Sequence, residues 1–457
     1  MAEDNSTSSP VGKLRQHWGS RLGFILAATG SAIGLGNIWK FPYITGDYGG
    51  GAFVLVYLVC VVVVGLPLML AEFMIGRRGQ ENPVGAFQKL HRKGSPWQGA
   101  GWMGVASGFL ILSFYSVVAG WAMAYIFKAI AGFAGSPEQI QDQFTQLVLS
   151  PGDSIMWHSI FMVLCVAIVI GGIQHGIERW SKILMPLLFL ILLGLMFYGL
   201  FSTNGGLKAL AFLFRPDFHK LTGEGILSAL GHAFFTLSLG MGAMITYGSY
   251  MERGARLVRD AIAISVLDTF IALMAGVAIF SLVFHFGMEP QQSVGLIFKT
   301  LPVLFAELGP WISVPFFVLL TFAALTSGIS LLEVVVSYFV DERGWSRTAA
   351  ALVMGGLIYA VGLLCATASL EVPFMGGKGY FGFFDDLTTN YMLPIGGLLT
   401  CLFTAWVFRD KDRVDEFGSR GFAYRAFVFL VKYITPVAVV IVILHGLKLL
   451  PFMDYSH

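Results

Sequence analysis

Charge is scarce in this chain. Of its 457 residues only 12% are charged, while 56% are hydrophobic and the mean hydropathy is +0.74. An ordinary soluble protein needs about a quarter of its residues charged to face water, so that class is excluded. Cysteine is nearly missing as well. Cys60, Cys165, Cys365 and Cys401 lie in apolar runs without metal-ligand spacing, and read as small buried side chains rather than a disulfide frame or metal centre. No HExxH or GxSxG arrangement appears, so the usual nucleophile or zinc sets of an intramembrane enzyme are lacking and no enzymatic activity is expected. No polar stretch is long enough for a soluble domain. The small net charge of +2 gives no reason to expect nucleic acid as a partner.

What the chain has is apolar length. Runs long enough to cross a bilayer extend over Leu22–Ile44, Ala52–Gly76, Gly101–Ala129, Ser154–Gly171, Ser181–Leu200 and Gly225–Met251. They continue over Asp260–Phe286, Trp311–Phe339, Thr348–Ala366, Phe381–Phe408 and Tyr424–Leu447, which predicts an all-α polytopic membrane protein of eleven spans. Most of the 29 Lys and Arg fall in the N-terminal tail and alternate loops, including Arg77, Arg78, Lys89, Arg92 and Lys93. The positive-inside rule then puts the N-terminus in the cytoplasm and, with an odd number of spans, His457 outside. The polar residues Met1–Gly12 read as a cytoplasmic tail rather than a cleaved signal.

Two of the spans are interrupted. Gly30-Ser31-Ala32-Ile33-Gly34-Leu35-Gly36-Asn37 sits inside the first, and Thr236-Leu237-Ser238-Leu239-Gly240-Met241-Gly242-Ala243 lies about as deep in the sixth. Each glycine costs roughly 1 kcal/mol of helix stability relative to alanine, and backbone freed in a bilayer must find protein, water or a ligand. Single glycines in membrane helices mostly serve close packing. A matched pair of glycine-rich breaks, five spans apart and mixed with Asn37, Thr236 and Ser238, instead marks an inverted-repeat transporter with its site at the bilayer midplane. The expected divisions are a tail over 1–20, a first repeat over 21–200, a second over 201–408, and an eleventh helix with the C-terminus over 409–457.

The runs Arg21-Leu22-Gly23-Phe24, Gly34-Leu35-Gly36-Asn37 with Phe41-Pro42, and Gly49-Gly50-Gly51-Ala52-Phe53 carry a resemblance, as do Phe234-Phe235-Thr236-Leu237-Ser238-Leu239-Gly240 and Leu325-Thr326-Ser327. With them the chain resembles the neurotransmitter:sodium symporter family, in its bacterial amino-acid branch with the leucine-transporter fold. The resemblance implies two sodium sites. One would use Ala32, Asn37, Thr236 and Asp268; the other Gly30, Ile33, Ala323, Thr326 and Ser327. Such hard oxygen ligands suit an alkali cation. The substrate carboxylate would meet the N–H groups of Leu35 and Gly36 and the Tyr115 hydroxyl, and the ammonium the carbonyls of Ala32, Phe235, Thr236 and Ser238. Gly34 stands where amine-carrying relatives have aspartate. The side-chain pocket would comprise Ile111, Phe235, Met241, Ser327 and Leu331, which is similar to the pocket of multi-hydrophobic amino-acid transporters.

The resemblance also implies gates. Phe235 and Tyr115 would close over the substrate beneath an outer pair of Lys40 and Asp385, with lysine replacing the family's usual arginine. Arg15, Asp341, Trp18 and Tyr250 would form the inner gate, and Gly176 with Pro186 the point where helix 5 unwinds. Asp268 supplies the negative charge that chloride provides in relatives with asparagine there; with Ala272 and His232 in place of the family's glutamate and glutamine, transport is expected without chloride. Glu72 and Glu333, within spans, are functional candidates by their place in a bilayer, with structural hydrogen bonding the favoured reading. The implied function is sodium-coupled uptake of aliphatic and aromatic L-amino acids across a bacterial cytoplasmic membrane. A single copy would suffice, and a dimer is compatible with this. Carriage of a betaine-like osmolyte, or amino-acid sensing without transport, are the alternatives.

Overall fold

The computed structural model describes residues 16–289, 294–367, 370, 372 and 379–449, and among them there are helices and no β-strand. Among the described residues, nine helices are long and apolar enough to cross a membrane. They are span 2 (Gly51–Gly79), span 3 (Gln98–Ala131), span 4 (Pro151–Ile170), span 5 (Ile173–Ser202), span 7 (Leu257–His285), span 8 (Pro310–Arg343), span 9 (Arg347–Ala366), span 10 (Tyr380–Val407) and span 11 (Phe422–Gly446). A tenth, span 1, is the pair Arg21–Ala32 and Gly36–Asp47, bent by 50°. The expected span 6 is present as two short helices, Gly223–Thr236 and Ala243–Ser249, parted by irregular backbone.

Span 1 begins where Ser20 caps the helix by accepting from the Gly23 N–H at 3.0 Å. It stops at Ile33, whose ψ of 98° leaves the helical region. In span 6 the backbone turns through left-handed conformations at Ser238 (φ 52°), Gly240 (φ 79°) and Gly242 (φ 75°). At Gly240 the glycine is required twice over. Its φ disfavours side chains, and a Cβ there would lie 2.1 Å from the Leu393 carbonyl oxygen of span 10. The Glu72 carboxylate, fully buried on span 2, accepts from the Gly240 N–H at 2.7 Å and so satisfies a donor freed by the break. Glu72 thus makes the structural hydrogen bond that the sequence favours for it.

Spans 3 and 8, each 34 residues long, run against one another through the centre and are mostly buried. Spans 5 and 11 turn most of their side chains outward to lipid. Both broken spans are held against this core, span 1 touching spans 5, 7 and 8, and the second half of span 6 packing on span 2. Span 5 starts at Ile173, earlier than the expected Ser181. The polar stretch before Ser181 had weakened its apolar signature, but it is helical because its side chains are spent on the entry to span 1. Gln174 donates to the His17 carbonyl at 2.9 Å, and Glu178 accepts from the Gly19 N–H at 2.6 Å and the Ser20 hydroxyl at 2.8 Å.

Glu72→Ala should destabilise the protein by about 1–3 kcal/mol, the cost of stranding a buried donor, whereas Glu72→Gln keeps an acceptor and should lose less. Thermal unfolding in detergent checks the order; equal midpoints for Glu72→Ala and the parent would contradict it.

Candidate functional site

The two breaks meet. The Ser238 hydroxyl, in the break of span 6, donates to the Ser31 carbonyl in span 1 at 2.7 Å. Ser327 on span 8 donates to the same carbonyl at 3.1 Å and lies 3.4 and 3.5 Å from the carbonyl oxygens of Gly30 and Ile33. The Thr326 hydroxyl reaches the Ala323 carbonyl at 3.0 Å within its own helix. Serine and threonine hydroxyls thus converge with unwound carbonyls on one side of the breaks, all of them buried.

On the other side lies a cluster built from spans 1, 6 and 7. Thr236 Oγ1 is 3.2 Å from Asn37 Oδ1 and 3.2 Å from each carboxylate oxygen of Asp268. Asn37 Nδ2 donates to Asp268 Oδ1 at 2.8 Å. Asn37, Thr236 and Asp268 are all fully buried. A carboxylate in that setting requires a cation or several donors to offset its desolvation. Tyr57 on span 2, absent from the sequence reading, adds one at 3.5 Å from Asp268 Oδ2. His232 stacks near Tyr57 and Phe41, with ring centroids 5.4 and 5.8 Å away. Carbonyl, hydroxyl, amide and carboxylate oxygens make up both clusters, and such hard ligands suit an alkali cation.

Between the two clusters is a cavity of about 20 Å³. Ala32, Gly34, Leu35, Gly36, Ile111, Tyr115, Phe235, Ser238, Met241, Ser327 and Leu331 line it, joined by Ser31 and Ser330, which the sequence did not single out. Thr236 is not in this lining and belongs to the Asp268 cluster. Part of it is polar: the Leu35 N–H points to the Tyr115 hydroxyl at 3.4 Å, and the Gly34 N–H to Asn37 Oδ1 at 3.4 Å. The lining also includes the apolar side chains of Ile111, Met241 and Leu331. Gly34 has no room to spare, since a Cβ would stand 2.7 Å from Ser327 Oγ and 3.0 Å from the Tyr115 oxygen.

Phe235 and Tyr115 also line a second cavity of about 140 Å³, together with Lys40, Tyr43, Phe381 and Asp385. The expected outer ion pair is not formed here. Lys40 and Asp385 share that cavity, but the Lys40 ammonium lies over the Phe235 ring, 5.1 Å from its centroid, and Asp385 accepts from the Thr389 hydroxyl at 3.0 Å. Lysine's single flexible ammonium can choose the ring face where a planar guanidinium fork would favour the carboxylate.

The other candidate gate residues are bonded across several helices. Trp18 donates from Nε1 to the Tyr247 carbonyl at 3.0 Å and from its backbone to the Tyr250 carbonyl at 3.2 Å. The Tyr250 hydroxyl donates to Glu333 at 2.6 Å, and Glu333 pairs with Arg347. Glu333 thus links spans 6, 8 and 9. Asp341 accepts from the Asn82 N–H at 2.9 Å, while Arg15 lies outside the described residues. Gly176 and Pro186 are both within wound helix, the first in a π-helical turn over Ile173–Glu178.

A family model for the sodium:neurotransmitter symporter family matches residues 15–134 and 139–457. The chain is 39% identical over 445 residues to the uncharacterized sodium-dependent transporter YhdH of Bacillus subtilis, covering 95% of this chain and 98% of that one. An uncharacterized sodium-dependent transporter of Haemophilus influenzae is 32% identical over 455 residues, covering 95% of this chain and 99% of its own. Among solved structures, MhsT in complex with L-phenylalanine superposes with a TM-score of 0.87 at 44% identity, covering 94% of this chain and all of that one. With its two broken spans and their paired oxygen clusters, this chain is a sodium-dependent symporter belonging to the sodium:neurotransmitter symporter family.

Proposed function

We propose that the protein takes up hydrophobic L-amino acids, aliphatic and aromatic, together with two sodium ions and without chloride. The carrying observation is the mixed lining of the cavity. Its backbone N–H groups and the Tyr115 hydroxyl suit a carboxylate, and its Ile111, Met241 and Leu331 side chains suit an uncharged side chain. MhsT, the structural relative, was solved with L-phenylalanine, which supports a pocket that accepts aromatics. An amine lacking its own carboxylate has no counter-ion here, because Gly34 is crowded by Ser327 and Tyr115 and an acidic side chain does not fit.

Sodium is cargo in this reading. One ion would be held by Asn37, Thr236, Asp268 and the Ala32 carbonyl, with the substrate carboxylate completing the set; the second by Gly30, Ile33, Ala323, Thr326 and Ser327. Sharing the carboxylate between cavity and cation couples the two bindings, since each raises the affinity of the other. Two charges moving down about 100 mV yield roughly 4.6 kcal/mol, enough for a substrate ratio of about a thousand. The buried Asp268 carboxylate supports chloride independence: two sodium ions and a zwitterion bring two positive charges, and the aspartate already cancels one. The basic residues of the alternate loops support an N-terminus in the cytoplasm and His457 outside.

In proteoliposomes with an inward sodium gradient, uptake of L-phenylalanine and L-leucine should stay within about twofold when gluconate replaces chloride. Asp268→Asn should lose most of that uptake in gluconate and recover part of it in chloride. A large loss in the parent on removing chloride would sink the charge argument.

Gly34→Asp should abolish amino-acid uptake without conferring monoamine uptake, because the new side chain displaces Ser327 and Tyr115. The reading fails if the variant carries L-phenylalanine at the parent's rate.

A further inference from the structure

Away from the transport path, a recess of about 550 Å³ opens where span 7 begins, beside the short helix Asp410–Phe417. Four arginines line it, Arg77, Arg253, Arg256 and Arg259, against the two carboxylates of Asp415 and Glu416. Those acids are already engaged. Glu416 accepts from Arg77 Nε at 2.5 Å, and Arg78 lies 3.8 Å from Glu416 and 3.9 Å from Asp415.

Arg77 is a brace rather than a free charge. Its guanidinium also donates to the carbonyls of Ala255 at 2.5 Å and Glu416 at 2.7 Å, tying the loop before span 7 to the short helix and fixing the recess walls. Asp260, one turn into span 7, is taken by Arg21 at 2.5 Å. Arg253, Arg256 and Arg259 are exposed, and among the described residues they form no ion pair or side-chain hydrogen bond. Span 7 begins here without a side-chain cap, so its first N–H groups add to the positive field.

The membrane side of the same helix is apolar. Ile262, Val266 and Phe270 are 45%, 60% and 47% exposed, and with Arg259 they fall on one helical face. A positive cage at the water edge thus continues into a strip facing hydrocarbon.

We propose that this recess binds the phosphate headgroup of an anionic phospholipid, with an acyl chain along Ile262, Val266 and Phe270. Guanidinium forks match phosphate oxygens in paired hydrogen bonds, and basic pockets at the membrane surface attract anionic lipids. A free phosphate would use the arginines but gain nothing from the strip. The inference is independent of which substrate is carried.

The test is native mass spectrometry of the full-length protein in detergent, titrated with palmitoyl-oleoyl phosphatidylglycerol, with thermal unfolding alongside. The variant Arg253→Gln/Arg256→Gln/Arg259→Gln should bind the lipid about a hundredfold more weakly, at roughly a factor of five per arginine. A charge-matched control, Lys89→Gln/Arg92→Gln/Lys93→Gln, should bind as the parent does. Phosphatidylcholine with the same chains, and inorganic phosphate, should give no saturable thermal shift. If the triple variant does not fold, as judged by its lipid-free thermal midpoint, Arg259→Glu serves instead and should weaken binding at least tenfold. Binding by either arginine variant within threefold of the parent, an equal loss in the control, or an equal shift from phosphatidylcholine or inorganic phosphate would overturn the proposal.

Discussion

The rest of the molecule depends on one constraint: backbone released from helical bonding inside a bilayer must be bonded to something else. At the breaks of spans 1 and 6 that obligation falls on side chains from elsewhere in the chain. Ser238 and Ser327 share the Ser31 carbonyl, and Glu72 takes the Gly240 N–H. These links define how closely the two breaks approach, and the cavity between them inherits its shape from them. The glycines are needed because the partners come so near, as at Gly240 against the Leu393 carbonyl. Stability and binding geometry are consequently set by the same few contacts.

A second consequence concerns charge. The Asp268 carboxylate is buried among Asn37, Thr236 and Tyr57, none of which brings a formal positive charge. Hydrogen bonds soften the cost of burying it, but a cation satisfies it more fully. The inner end is organised differently, with Glu333 answered by Arg347 and the Tyr250 hydroxyl. Glu333 has its counter-charge in the protein, whereas Asp268, like Glu72, is met by hydrogen-bond donors.

Much of this was legible in the sequence. Apolar length and polar breaks located the spans, because membrane insertion writes both directly into composition. Less visible were residues whose roles depend on where another segment comes to rest. Ser31 and Ser330 look like ordinary serines bonded within their helices, and Tyr57 like an apolar-span aromatic; only packing brings them to the site. The start of span 5 is hidden in the sequence because Gln174 and Glu178 look like loop residues until their partners at His17, Gly19 and Ser20 are known. Lys40 and Asp385 share the outer cavity without closing to an ion pair for a related reason, since charge complementarity does not show the competing face of Phe235.

Phe235 has a further meaning. With Tyr115, the same ring lines the small inner cavity and the larger outer one, so on that side a few side chains part the two. On the other side, opening requires parting Trp18 from Tyr247 and Tyr250, and Tyr250 from Glu333, across several helices. Side-chain rotations are intrinsically far faster than collective helix movements. The two sides of this molecule are therefore built to different scales, side chains parting the cavities on one and contacts between whole helices closing the other.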